Sequence, residues 1–92
     1  MKLAKLKAMP TVTIYSTPTC HFCHMAKDMF TAHNIPFTDH NVATNLEKRK
    51  EMVAKTGQMG VPVITVMPEG DSEEIIIGFD EERLRALLKI QS

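Results

Sequence analysis

Two cysteines, Cys20 and Cys23, lie three positions apart, between a β-branched run and an amphipathic one. Around them the chain reads Thr17-Pro18-Thr19-Cys20-His21-Phe22-Cys23-His24. A disulfide between them closes almost no loop, so it restrains the unfolded chain weakly and makes a poor structural staple. Thiol–disulfide exchange suits the pair better. If a helix begins at Cys20, its free amides and the positive end of its dipole converge on that sulfur. They stabilise the thiolate, which is the nucleophile. Cys23 then lies one turn behind, where it can attack a mixed disulfide formed on Cys20 and release the reduced substrate. Spacing thus assigns attack to Cys20 and resolution to Cys23. Three other readings stay open at this point. The thiols could be packed in a core, although a joint between strand and helix is an exposed place. They could join two of the four histidines around zinc, although His21 and His24 are too close for an ordinary second ligand pair and there is no second C-x-x-C. Cys20 to His24 also matches the C-x-x-C-H string of haem attachment, which a strand leading straight into the motif fits badly.

The flanking elements must hold that geometry. Thr11-Val12-Thr13-Ile14-Tyr15-Ser16 is rich in β-branched residues and reads as a buried strand, with Tyr15 a packing residue. Thr17-Pro18-Thr19 ends it. From Cys20, Phe22, Met25, Ala26, Met29, Phe30 and His33 recur at helical spacing on one face, leaving Lys27 and Asp28 on a solvated face. Asn34-Ile35-Pro36 stops the helix. Phe37 to Val42 is a weaker strand. Thr44-Asn45-Leu46-Glu47 has the form of a capping box with Thr44 as the cap, opening a helix that ends near Thr56 with Gly57 as its C-terminal cap. Val63-Ile64-Thr65-Val66-Met67 and Glu74-Ile75-Ile76-Ile77 form a hairpin around Pro68-Glu69-Gly70-Asp71. Asp80 caps a last helix striped by Leu84, Leu87 and Leu88. The order βαβαββα predicts an α/β domain. Its first two strands are parallel across a helical crossover and its last two antiparallel, in a mixed four-stranded sheet with three helices.

Composition excludes several classes. Eleven Lys+Arg balance eleven Asp+Glu, so nothing marks a nucleic-acid partner. No apolar run nears the roughly 20 residues that span a bilayer, so no membrane partner is expected. Seven methionines and no tryptophan imply a core filled in part by adaptable thioethers. Residues 1–10 read as a basic leader without the apolar stretch of a secretory signal, and residues 11–92 as the domain. A cytoplasmic monomer is expected.

Three motifs then carry a resemblance that covers roughly residues 11–90: Thr17-Pro18-Thr19-Cys20-His21-Phe22-Cys23, Gly60-Val61-Pro62-Val63, and Ile77-Gly78-Phe79-Asp80. Together they resemble the thioredoxin superfamily, and within it the small bacterial glutaredoxin-like proteins. The resemblance implies a thioredoxin-like fold and a dithiol–disulfide oxidoreductase acting on protein or mixed disulfides. It implies a cis Val61-Pro62 peptide facing the cysteines, with the Val61 backbone open to a substrate strand. It implies substrate contacts at Thr19, His21, Phe22, Val61, Pro62, Gly78, Phe79 and Asp80, with an apolar rim from Phe22, Val61, Pro62 and Phe79. Gly78 and Asp80 would hold the γ-glutamyl end of glutathione. Against glutathione stand Thr17, where relatives carry lysine, and Ile77-Gly78 in place of a double glycine. The reductant is therefore either glutathione or a thioredoxin-reductase-type flavoprotein, with no metal and no tightly bound cofactor. Glutaredoxin relatives also suggest a glutathione-ligated iron–sulfur carrier, and a redox-sensing binding module is a third reading. His21, directly after the nucleophile, is expected to favour the Cys20 thiolate and make the couple more oxidising. His33 and His40 are expected to be ordinary.

Overall fold

The computed structural model describes residues 10–67 and 73–89. Residues 1–9 of the basic leader and the turn at 68–71 fall outside the described residues. Seven elements follow in the expected order: β1 (Thr11–Ser16), α1 (His21–Ala32), β2 (Thr38–Asn41), α2 (Leu46–Thr56), β3 (Val63–Met67), β4 (Glu74–Ile77) and α3 (Glu81–Leu88). One sheet runs β2-β1-β3-β4. β1 and β2 are parallel, while β3 is antiparallel to both β1 and β4.

Strand alternation distributes the core over two faces. Val12 lies opposite Val66, Ile14 opposite Ile64, and Ile64 opposite Ile76. These side chains share one cluster with Ala26, Met29 and Phe30 of α1 and Leu84 of α3. Tyr15, opposite Val63, belongs to a second cluster with Val42 and Met52 of α2. Two helices therefore cover one face of the sheet, and α2 covers the other. Among the described residues no helix is long and apolar enough to cross a membrane.

Three local expectations are corrected. The cap of α2 is Asn45, whose Oδ1 accepts from the Lys48 amide at 3.1 Å, and Thr44 stands outside the helix. Asn41 decides this. Its side chain accepts from the Ala43 amide and its carbonyl from the Asn45 amide, a turn that brings Asn45 to the helix start. The buried stripe of α1 is narrower than its spacing suggests: Cys23, Ala26, Met29 and Phe30 are buried, whereas Phe22 and Met25 are exposed and His33 is the exposed C-cap. Lys27 is not merely a solvated residue. Its Nζ lies 2.9 Å from Asp39 Oδ2, and Ser16 Oγ donates to Asp39 Oδ1 at 2.6 Å. That network ties α1 to the edge strand β2.

On the opposite face the Tyr15 hydroxyl donates to Glu51 Oε2. Burial, reinforced by that bond, pushes the Tyr15 phenol well above its ordinary range, while the same bond and Lys48 draw Glu51 down. For Asp39, burial raises the carboxyl, but the bonds from Ser16 and Lys27 outweigh it and hold the group below the usual carboxylate range. A depressed acid contributes stability above its unfolded pKa of about 3.9, and that contribution is lost as pH falls through the folded value. The thermal midpoint should therefore drop as pH is lowered from about 5 to 3, and Asp39→Asn should flatten that decline. Ser16→Ala, followed by denaturant unfolding at neutral pH, should lose about 1 kcal/mol.

Candidate active site

The turn after β1 is closed by the Cys20 amide donating to the Thr17 carbonyl at 3.3 Å, with Pro18 fixing the turn's second residue. His24 reinforces it, its Nε2 lying 2.8 Å from the Pro18 carbonyl. A carbonyl can only accept, so that ring nitrogen carries the hydrogen. Cys20 is the N-cap of α1, with φ −86° and ψ 112°. Its sulfur accepts from the Cys23 amide at 3.1 Å, and its carbonyl accepts from the His24 amide at 3.2 Å.

In α2 and α3 the equivalent cap acceptors are the side-chain oxygens of Asn45 and Asp80, and acids stand in both first turns. α1 has sulfur in that role and no acid in its first turn. No fixed negative charge there opposes a thiolate, so the helix end acts on Cys20 alone. Cys23 is fully buried and Cys20 half-buried. The two sulfurs are joined, with Cα atoms 5.2 Å apart, inside the ordinary range for a disulfide. Among the described residues no three His, Cys, Asp or Glu side chains gather to hold a metal ion.

The other sequence-predicted residues divide. The Val61–Pro62 peptide is cis, as the resemblance implied. The Pro62 carbonyl accepts from the Gly78 amide at 2.8 Å, which fastens the start of α3 to that loop. Gly78 sits at φ 90°, a conformation glycine adopts freely. Asp80 spends its Oδ1 on the Arg83 amide at 3.2 Å, as the cap of α3. Phe22 is 55% exposed, and its ring stands edge-on to His21 with centroids 5.4 Å apart. Thr19 is exposed on the turn. Of the predicted rim, Pro62 is buried, Phe79 is partly buried against the larger core cluster, and Val61 is half-buried against the smaller one. Phe22 is the freely exposed part of that rim. His40 lies against Tyr15, ring centroids 5.5 Å apart, and holds no site position.

Sequence reading missed a pocket of about 350 Å3 beside the cysteine turn, lined by Thr17, Val42, Ala43, Arg49, Met52, Met59 and Val61. Its cation comes from α2. The sequence marks that helix only by its capping box and its Gly57 end, so no signal singles out Arg49.

The sheet order, the crossover and the cysteine-capped α1 facing a sheet closed by an antiparallel hairpin define a thioredoxin-like fold. Solved structures agree: a thioredoxin-like protein BC3987 mutant T8A superposes with TM-score 0.76 at 22% identity, covering 88% of this chain and 97% of the other. A glutaredoxin from Archaeoglobus fulgidus superposes with TM-score 0.69 at 19% identity, covering 97% of each chain. The glutaredoxin family model matches residues 12–70, and the chain belongs to that family. It is 40% identical over 78 residues to a protein of Clostridium pasteurianum described as an uncharacterized glutaredoxin-like 8.6 kDa protein in rubredoxin operon, covering 85% of this chain and 97% of that one. To glutaredoxin 3 of Escherichia coli K12 it is 34% identical over 58 residues, 63% of this chain and 70% of the relative.

Two substitutions test the local geometry. Among the described residues beyond its chain neighbours, no atom lies within 4 Å of a Cβ built on Gly78, so Gly78→Ala should lose about 1–2 kcal/mol in denaturant unfolding from the backbone conformation alone. His21 is the first residue of α1, a position that accepts proline. His21→Pro should fold normally and make the cysteine couple more reducing, read by equilibration against glutathione buffers. An unchanged potential would deny His21 its influence on the thiolate.

Proposed function

We propose that this chain is a dithiol–disulfide oxidoreductase that reduces protein or mixed disulfides through Cys20 and Cys23. The observation that carries the reading is the Cys20 sulfur at the N-cap of α1, taking the amide of Cys23 one turn behind it. In the reduced protein the Cys20 thiolate attacks one substrate sulfur. A bond forms from Cys20 to that sulfur, the substrate disulfide breaks, and the first thiol leaves with a proton from solvent. Cys23 then yields its proton and bonds to Cys20. The second substrate thiol leaves with that proton. Two electrons pass to the substrate, and the Cys20–Cys23 disulfide remains. Burial of Cys23 keeps it from competing for outside disulfides, so the order of attack is set by access. The Val61 backbone beside cis Pro62 is the strand to which an extended substrate pairs.

Two molecules of glutathione, oxidised to their own disulfide, would reopen the couple. Arg49 supports this route. It supplies a cation to the pocket shared with Thr17 and Val61, where Thr17 itself brings none. Asp80 and Gly78 would take the amino end, with Asp80 already engaged by its own helix. A thioredoxin-reductase-type flavoprotein is the competing donor, and one assay run with each electron source decides between them. The chemistry itself is tested by cysteine replacement. Cys20→Ser should lower turnover by roughly a thousandfold or more. Cys23→Ser should halt on a mixed disulfide with the substrate, visible by mass spectrometry. In that variant iodoacetamide should alkylate Cys20 about tenfold faster than free cysteine near about pH 6.5. Equal rates would remove the thiolate from the mechanism.

A further inference from the structure

A second depression opens on the outer face of α2. It measures about 520 Å3 and is lined by Leu46, Arg49, Lys50, Val53, Ala54 and Met59. Folding does not account for its floor, because Leu46 is 60% and Met59 54% exposed. Apolar surface left in water beside a functional site marks docking. Arg49 and Met59 belong both to this groove and to the pocket beside Thr17 and Val61. The groove therefore continues from the redox site along α2.

Its charge has one sign. Arg49 and Lys50 are the charged residues lining it. Among the described residues neither has a carboxylate within 4 Å, whereas neighbouring Lys48 is held by Glu51 and Lys55 by Glu73. Cations at the lip of an apolar floor fit a segment that carries leucine-like side chains flanked by carboxylates. Leu46 to Ala54 spans eight helical rises, about 12 Å. That is the reach of three or four extended residues at about 3.3 Å each.

We propose that this groove selects the substrate protein: it docks an acidic-apolar segment adjoining the disulfide that Cys20 attacks. The proposal rests on the oxidoreductase reading and adds a substrate class to it. The docked segment takes no part in the electron transfer. It raises the local concentration of the disulfide at Cys20 and so speeds the first exchange step.

The test uses fully reduced full-length protein, freed of reductant, in single-turnover reactions, so no physiological donor is needed. One probe is a six-residue peptide with an N-terminal cysteine followed by alternating leucine and glutamate, joined to itself as a disulfide. The second replaces glutamate by lysine, and the third is hydroxyethyl disulfide. Each rate constant is divided by that of the same disulfide with dithiothreitol, which removes differences in intrinsic reactivity. Wild type should favour the acidic peptide over the basic one by about five- to tenfold at low salt. Lys50→Glu should erase or invert that preference. Ala54→Glu, an exposed helix position, should lower the ratio of the acidic peptide to hydroxyethyl disulfide about fivefold, with circular dichroism verifying the fold of both variants. Equal rates on both peptides, or a preference that survives both substitutions, would overturn the proposal while leaving the oxidoreductase reading in place. Reduced wild type that leaves even hydroxyethyl disulfide intact overturns both. A dimer in sedimentation velocity that Ala54→Glu dissociates would give the groove to a second copy and overturn the substrate assignment.

Discussion

A sulfur in place of an oxygen at the start of α1 is the contact on which the site depends. Helix starts leave amides without partners, and this chain satisfies them with Asn45 in α2 and Asp80 in α3. Cys20 occupies the same position in α1 and accepts from the amide of its own redox partner. One bond therefore caps the helix, and in the proposed mechanism the same bond would steady negative charge on the attacking atom of the reduced protein. Changing the oxidation state alters the sulfur that serves as cap but not the need for a cap.

That arrangement asks little of the disulfide as a brace. The loop it closes spans a sequence separation of three, so it removes little freedom from the unfolded chain. Stability must come from elsewhere. It comes from a sheet whose central strands β1 and β3 present apolar side chains to both faces, with Ile14, Ile64, Phe30 and Leu84 fully buried on one side and Met52 and Val63 on the other. A fold braced this way does not rely on the disulfide, which the proposed alternation between dithiol and disulfide requires. Gly78 ties the start of α3 to the cis-proline segment, because its amide fixes the Pro62 carbonyl.

Much of this was legible in the sequence because it is local. Strand composition located β1, β3 and β4 to the residue, and the Gly57 and Asp80 caps marked helix ends through backbone requirements alone. The misreadings share a cause: each depended on a partner distant in the chain or on a neighbouring turn. Thr44 has the right chemistry for a cap, but Asn41 builds a turn that brings Asn45 there instead. Phe22 and Met25 keep helical spacing with the buried stripe, yet both are exposed while Cys23 between them is fully buried. Lys27 and Asp39 meet only because β2 pairs in parallel with β1, which places Asp39 beside Ile14 and within reach of Ser16. No periodicity records such a register. Phe79, expected at the rim from its motif, is partly buried against the cluster that holds Leu84, a contact no motif records.

The unequal covering of the sheet explains where surface was left for recognition. α1 and α3 together bury one face, with Ala26, Met29, Phe30 and Leu84 consumed by packing while Phe22 and Met25 stay exposed. α2 covers the other face alone, and Met52 is its fully buried contribution to that cluster. A helix that needs so little of its surface for the core can present apolar groups outward without weakening the fold. The cysteines lie at the end of the sheet where β1 passes into α1, and the Val61 segment leads into β3 beside them. α2 leads into that same segment through Gly57 and Met59. α2 is thus joined to the Val61 segment by a short connection, and under the docking proposal its outer face is the surface that would vary with substrate while the sulfur chemistry stays fixed.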